Sequence, residues 1–157
     1  MSRSLLFFML SYFFGLGAIA QPKEIKFSEL ESAVASKPKP VVIFLHTDWC
    51  SYCLLMERKT LKDQQVVHKL NSDFYYISFN AERDETITYR GKEYSLKKLG
   101  INAKQHELAK ELSQSNAYPA MIFLNENLEV LYRHFAYVKP NDMYQLLKAI
   151  KPTSNDT

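Results

Sequence analysis

Cysteine is scarce in this chain of 157 residues: there are two, beside four histidines. His46, His68, His106 and His134 fall at no ligand-like spacing from one another or from the cysteines, so a zinc site of four protein ligands lacks support. Net charge is also small, +3 at neutral pH, and argues against a nucleic-acid partner. There are no internal repeats and no low-complexity tracts. No cysteine follows the apolar N-terminal stretch, which leaves a lipid-anchored form unsupported.

What is present is concentrated in one place. The two cysteines form Trp49-Cys50-Ser51-Tyr52-Cys53, at the junction where the apolar, β-branched run Val41-Val42-Ile43-Phe44-Leu45 gives way to a helical pattern. The run predicts a strand buried on both faces in the middle of a sheet. A helix opening at Cys50 puts that cysteine in the first turn, among unpaired backbone N–H groups and at the positive end of the helix dipole, where a thiolate is favoured. Cys53 follows one turn later on the same face, within disulfide reach. This is the arrangement of a redox dithiol in which one sulfur attacks and the other resolves. A purely structural disulfide is the plainer alternative, but closing so short a loop constrains the unfolded chain little.

The first 20 residues read as a cleaved secretory signal. Arg3 supplies a positive start, Leu5 to Ile19 is almost entirely apolar, and Ala18-Ile19-Ala20 is a small-x-small cleavage site. The apolar stretch, roughly 15 residues, falls short of the ~20 of a membrane span; an uncleaved N-terminal anchor is the other reading. The mature chain, residues 21–157, is long enough for one domain and too short for two. Losing Arg3 lowers the net charge from +3 to +2. Export makes the redox partner part of the question, because a thiol pair survives reduced outside the cytosol only if something keeps it so.

Along the mature chain, Ser28-Glu29-Leu30-Glu31 fits a capping box, and Phe27, Leu30 and Val34 follow helical spacing to about Ala35. Lys37-Pro38-Lys39-Pro40 ends that helix. After the dithiol helix, Asp63 to Leu70 predicts a further helix and Phe74 to Phe79 a strand. Residues 86–94 alternate about Arg90-Gly91, as in a small inserted hairpin. Ala103 to Leu112 has a helical pattern, and Tyr118-Pro119 leads into a strand at Ala120 to Leu124. Asn125-Glu126-Asn127 turns back into a strand over Leu128 to Arg133, and Asn141 to Ile150 closes the chain as an amphipathic helix. The expected class is α/β, a mixed sheet with helices on both faces.

The strand, the Trp-Cys-x-x-Cys helix start and the Tyr-Pro before a strand together resemble the thioredoxin fold over nearly the whole mature chain. Within that superfamily, Lys39-Pro40-Val41-Val42 through Asp48-Trp49-Cys50, with Glu57 and Asp63-x-x-Val66, is most similar to the C-terminal periplasmic domain of DsbD-type transmembrane reductases. It is also similar to small exported thioredoxin-like proteins with a hairpin insertion.

The resemblance implies roles by position. Cys50 is the exposed nucleophile and Cys53 the resolving thiol. Pro119 is the cis-proline whose loop faces the dithiol, with Tyr118 offering its backbone to an extended substrate. Ala136 falls where the family has a small residue lining the substrate groove, and Trp49, Tyr52, Tyr118 and Tyr137 give the groove an aromatic rim. One position departs. Thioredoxins carry a buried aspartate six residues before the first cysteine to handle the resolving thiol's proton, and here that residue is Phe44. Glu57, four residues after Cys53 on the same helix face, is the substitute the DsbD-like domains also carry; a solvated helix glutamate is the plain alternative. His46 is a weaker candidate for tuning the site than a satisfied rim histidine.

Ser51-Tyr52 between the cysteines supplies no cation to acidify Cys50 strongly, which favours a reductase over a disulfide-introducing oxidase. The expected function is therefore exported, periplasmic thiol:disulfide exchange on protein disulfides by a monomer. It needs no bound cofactor or metal and takes its reducing equivalents from a membrane thiol donor. An isomerase or oxidase, and a peptide-binding module with an incidental disulfide, are the competing readings.

Overall fold

The computed structural model describes residues 21–101 and 103–150. The expected signal segment, residues 1–20, and the chain end beyond residue 150 lie outside them.

The apolar runs build the sheet. β1 (Val41–His46) pairs in parallel with β2 (Tyr75–Asn80), and on its other side antiparallel with β7 (Ala120–Leu124), which carries β8 (Val130–His134) at the edge. The order is β2-β1-β7-β8. Every residue from Val41 to Leu45 and from Ala120 to Leu124 is buried, because both faces of these two strands are covered. Val41, Ile43, Leu45, Ala120, Ile122 and Leu124 belong to one apolar cluster, and Val42, Phe44, Met121 and Phe123 to the other. Burying each of the large side chains contributes about 1.5–3 kcal/mol.

The first cluster is roofed by α1 (Phe27–Ser36) and α4 (Glu107–Ser113). The second is roofed by α2 (Ser51–Arg58), α3 (Gln64–Asp73) and α5 (Pro140–Ala149). A mixed sheet with helices on both faces is thus what the sequence pattern implied. Asp63 starts α3 by accepting from the N–H groups of Gln65 and Val66 at 3.0 and 3.1 Å. Upstream of α1, Ile25 N–H donates to the Tyr76 carbonyl at 2.9 Å, which lays residues 23–26 along the free edge of β2.

Three local expectations are corrected. The N-cap of α1 is Lys26, not Ser28: burial of Phe27 draws it into the first turn, and the Glu29 carboxylate accepts from the Lys26 N–H at 3.3 Å. Leu128 is not a strand residue but sits at φ 61° in a turn, where the Asn125 side-chain oxygen accepts from the N–H groups of Asn127 and Glu129. The insertion between β2 and α4 holds two hairpins. β3 (Ile87–Tyr89) and β4 (Lys92–Tyr94) meet at Arg90-Gly91, both at positive φ as a two-residue turn requires. β5 (Leu96–Lys98) then pairs with β6 (Lys104–His106), where the start of a helix was expected. That helix is delayed because the His106 N–H donates to the Ala81 carbonyl at 2.7 Å, while the ring Nδ1 of His106 caps α4 by accepting from the Leu108 N–H at 3.2 Å. His106 is a fully buried, satisfied core histidine.

Candidate active site

β1 runs out at His46, and the chain turns through Thr47-Asp48-Trp49 before α2 begins. The Cys50 N–H donates to the Thr47 carbonyl at 3.2 Å, which closes that turn. Cys50 is then the N-cap of α2 rather than a member of its first turn, and its Sγ accepts from the Cys53 N–H at 3.1 Å. The sulfur does what a cap oxygen does elsewhere, so a backbone donor and the helix dipole both favour negative charge on it. Cys50 and Cys53 are joined in a disulfide, their Cα atoms 5.2 Å apart. Cys50 retains 7 % exposure and Cys53 1 %, so an incoming partner meets the Cys50 sulfur first.

Beside the dithiol, the Tyr118–Pro119 bond is cis, and Tyr118 packs against the apolar cluster that contains both cysteines. The Trp49 ring meets the Tyr118 ring edge-on, centroids 6.3 Å apart, although Trp49 is 66 % exposed. Its indole N–H donates to the Glu82 carboxylate at 3.0 Å. Behind Tyr118, the side-chain amide of buried Gln105, on β6, donates to the Tyr118 hydroxyl at 2.9 Å and to the Ser115 carbonyl at 2.7 Å. Burial pushes the Tyr118 hydroxyl above its usual pKa, the Gln105 hydrogen bond offsetting part of the rise.

The remaining rim candidates are spread around the site. Tyr52 stands out into solvent from α2, and Ala136 is exposed in the segment that joins β8 to α5. Tyr137, next to it, is half-buried against the same apolar cluster as the dithiol.

Below the dithiol, Phe44 is fully buried in the cluster that holds both cysteines and stacks on the His46 ring at 5.3 Å. An apolar ring can neither take nor give the Cys53 proton. A titratable pair lies at the margin: His46 Nδ1 is 3.9 Å from a Glu57 carboxylate oxygen, with the Glu57 side chain 41 % exposed. Burial lowers the His46 pKa, and this outweighs the attraction of Glu57 and Asp48. The imidazole is therefore neutral near pH 7 and the contact is not a formal ion pair there.

Glu57 also opens onto a cavity of about 330 Å³ shared with Glu24, Leu54, Arg58, Tyr76 and Ser78. Burial raises the Glu24 pKa, and the Glu57 charge raises it further. Glu24, Glu82 and Gln105 went unread in the sequence. Glu24 depends on the register of the segment beside β2, Glu82 on the loop after β2, and Gln105 on the second hairpin. Among the described residues no group of histidine, cysteine, aspartate and glutamate is placed to hold a metal ion, and no helix is long and apolar enough to cross a membrane.

Comparison with known proteins agrees with this geometry. A family model described as a thioredoxin-like domain matches residues 27–151, and the chain belongs to that family. Two curated relatives, the thiol:disulfide interchange protein DsbD of two Campylobacter jejuni strains, are 22 % identical over 128 residues, covering 80 % of this chain. The chain spans only 18 % of the length of those relatives. Among solved structures, a DsbH oxidoreductase superposes with a TM-score of 0.60 at 16 % identity, over 84 % of this chain and 85 % of that one. The oxidised C-terminal domain of Neisseria meningitidis DsbD gives 0.54 at 19 % identity, over 78 % and 90 %. A Thermus thermophilus thioredoxin gives 0.58 at 20 % identity, over 83 % and 86 %. These likenesses establish the thioredoxin fold.

Proposed function

We propose that this member of the thioredoxin-like family is an exported thiol:disulfide oxidoreductase that acts mainly to reduce protein disulfides. The observation that carries the reading is the asymmetry of the dithiol: Cys50 caps α2 with its sulfur held by a backbone donor and reachable from outside, while Cys53 is buried beneath it. In the reduced protein the Cys50 thiolate attacks one sulfur of the substrate disulfide, and a mixed disulfide forms as the first substrate thiolate leaves. Cys53, deprotonated, then attacks Cys50 Sγ; the second substrate thiolate leaves and the Cys50–Cys53 disulfide closes. Two electrons pass to the substrate, and a thiol donor at the membrane must return two to reopen the pair.

Glu57, one turn after Cys53 on α2, is the group suited to take the Cys53 proton. The Trp49 and Tyr118 wall, the Pro119 loop, Tyr52 and the small residue Ala136 border the substrate. Export and a periplasmic setting rest on the signal-like character of residues 1–20 and on the resemblance to the DsbD C-terminal domain, and the protein works as a monomer with no bound cofactor.

The test is a Cys53→Ala variant expressed with its N-terminal segment in a bacterial envelope. Envelope proteins held through Cys50 in mixed disulfides, released by reductant and missing in the Cys50→Ser variant, are the expected result. A protein whose partners bind equally well after both cysteines are replaced is instead a binding module. One that introduces disulfides into reduced substrates faster than it removes them is an oxidase.

A further inference from the structure

The inserted hairpins have no assigned part in the site. We infer that Gln105, together with Glu82, is a positioning residue that fixes the aromatic wall of the substrate groove, so that the second hairpin takes part in substrate recognition. The inference rests on the thiol:disulfide reading of the groove and adds its specificity determinant.

The argument runs through a continuous chain of contacts. Gln105 is a buried polar side chain, 5 % exposed, and its amide donates both to the Tyr118 hydroxyl at 2.9 Å and to the Ser115 carbonyl at 2.7 Å. Buried amides are retained where they are satisfied, and this one spans from β6 to the loop that ends in Pro119. Tyr118 in turn supports the edge of Trp49, the residue next to Cys50. Trp49, two-thirds exposed, has one side of its indole fixed by the Glu82 carboxylate at 3.0 Å. The hairpin itself is bound to the turn just past β2 by the His106 N–H to Ala81 carbonyl bond at 2.7 Å, and to α4 by the Ser95 N–H, which donates to the Glu107 carboxylate at 2.9 Å. A large, exposed aromatic side chain loses rotamer freedom only where neighbours hold it, and holding it before the substrate arrives lowers the cost of binding. The polar ends are fixed by Gln105 and Glu82, and the exposed part of the Trp49 ring is left for an extended peptide.

Trp49 is the sole tryptophan of the chain, so its emission, excited beyond the tyrosine band, reports this wall. Gln105→Met keeps the size and removes the donor, Tyr118→Phe removes the acceptor, and Glu82→Leu removes the indole partner while Glu82→Gln restores an acceptor. With dithiothreitol regenerating the enzyme, turnover is measured on insulin disulfides and on bis(hydroxyethyl) disulfide. Gln105→Met is expected to raise KM for insulin relative to KM for the small disulfide by about two- to tenfold, the range for losing one neutral hydrogen bond. All three disruptive variants are expected to broaden and shift the Trp49 signal, and Glu82→Gln to return it. A Trp49 signal unchanged in Gln105→Met and Tyr118→Phe overturns the inference, as does a KM that rises equally for both substrates. Should the wild-type protein reduce neither substrate, the thiol:disulfide reading fails, while the Trp49 signal still decides the positioning claim.

Discussion

The floor beneath the disulfide and the wall beside it solve opposite problems. In the floor, Phe44 fills a position where a thioredoxin carries a buried aspartate, and the titratable groups lie off to the side: Glu57 and Glu24 line a cavity, and His46 sits 3.9 Å from Glu57. In the wall, a polar group lies inside: Gln105 is buried with its amide nitrogen donating to two acceptors, and Trp49 is held by a carboxylate. A buried ionisable group is costly unless its charge is compensated, whereas a neutral amide with two acceptors is not. The centre of the floor thus holds no charge that could serve proton transfer, while the buried part of the wall is held by neutral hydrogen bonds from Gln105. On the proposed function, the floor governs how a mixed disulfide is released, and the wall how it is formed.

The largest effects come from the dithiol, which both regions serve. Cys50→Ser is expected to abolish disulfide reduction, and Cys53→Ala to stop after one attack and accumulate mixed disulfide, as read by non-reducing electrophoresis. Alkylation of the reduced protein at mildly acidic pH is expected to label Cys50 well before Cys53. Labelling of Cys53 first reverses the roles and breaks the comparison at its root.

Phe44→Ala tests whether the floor is a packing device. With the ring fully buried and stacked on His46, its removal is expected to cost about 3–5 kcal/mol of unfolding free energy in urea titration. A loss below about 1 kcal/mol means the site collapses easily and Phe44 is not what holds the floor together.

Glu57→Gln sharpens the floor's chemical part. Turnover is expected to fall by on the order of 10²-fold or less, since solvent water can substitute in part for the carboxylate, with folding intact and a shifted pH dependence. Unchanged turnover across pH leaves Glu57 a solvated helix residue.

The smallest effect belongs to His46. Burial depresses its folded pKa below the usual 6.5, so between those two values the unfolded chain binds a proton that the folded chain refuses. The contribution to stability is present above about pH 6.5 and is lost as pH falls from there through the folded value. The melting temperature is expected to decline over that window, and the decline to flatten in His46→Gln. A wild-type melting temperature that rises on acidification contradicts the assignment.

The fold was legible where a single physical pattern dominates. Val41 to Leu45 and Ala120 to Leu124 are short, apolar runs, and the dithiol sits where one of them ends, so the central strands and the start of α2 followed directly. The second hairpin was not legible. Leu96–Lys98 and Lys104–His106 are strands of three residues each, too short to show alternation, and the helical spacing of Leu108 and Leu112 extended backward over β6. His106 decides the boundary through a cap and a bond to Ala81, neither of which leaves a trace in hydrophobic periodicity. The floor was half legible: Phe44 stood out as an apolar residue where the resembling family has an acid, and Glu57 by helical spacing. Glu24 and Gln105 act across long stretches of chain, and only folding brings them to the site.

The central claim is that floor and wall act on separate steps. Single-turnover reaction of the reduced protein with a peptide disulfide, quenched with acid at successive times and across pH, resolves formation of the mixed disulfide from its release. The account predicts that Glu57→Gln slows release and leaves formation as in the wild type, and that Gln105→Met slows formation and leaves release unchanged. Both variants slowing the same step would contradict it.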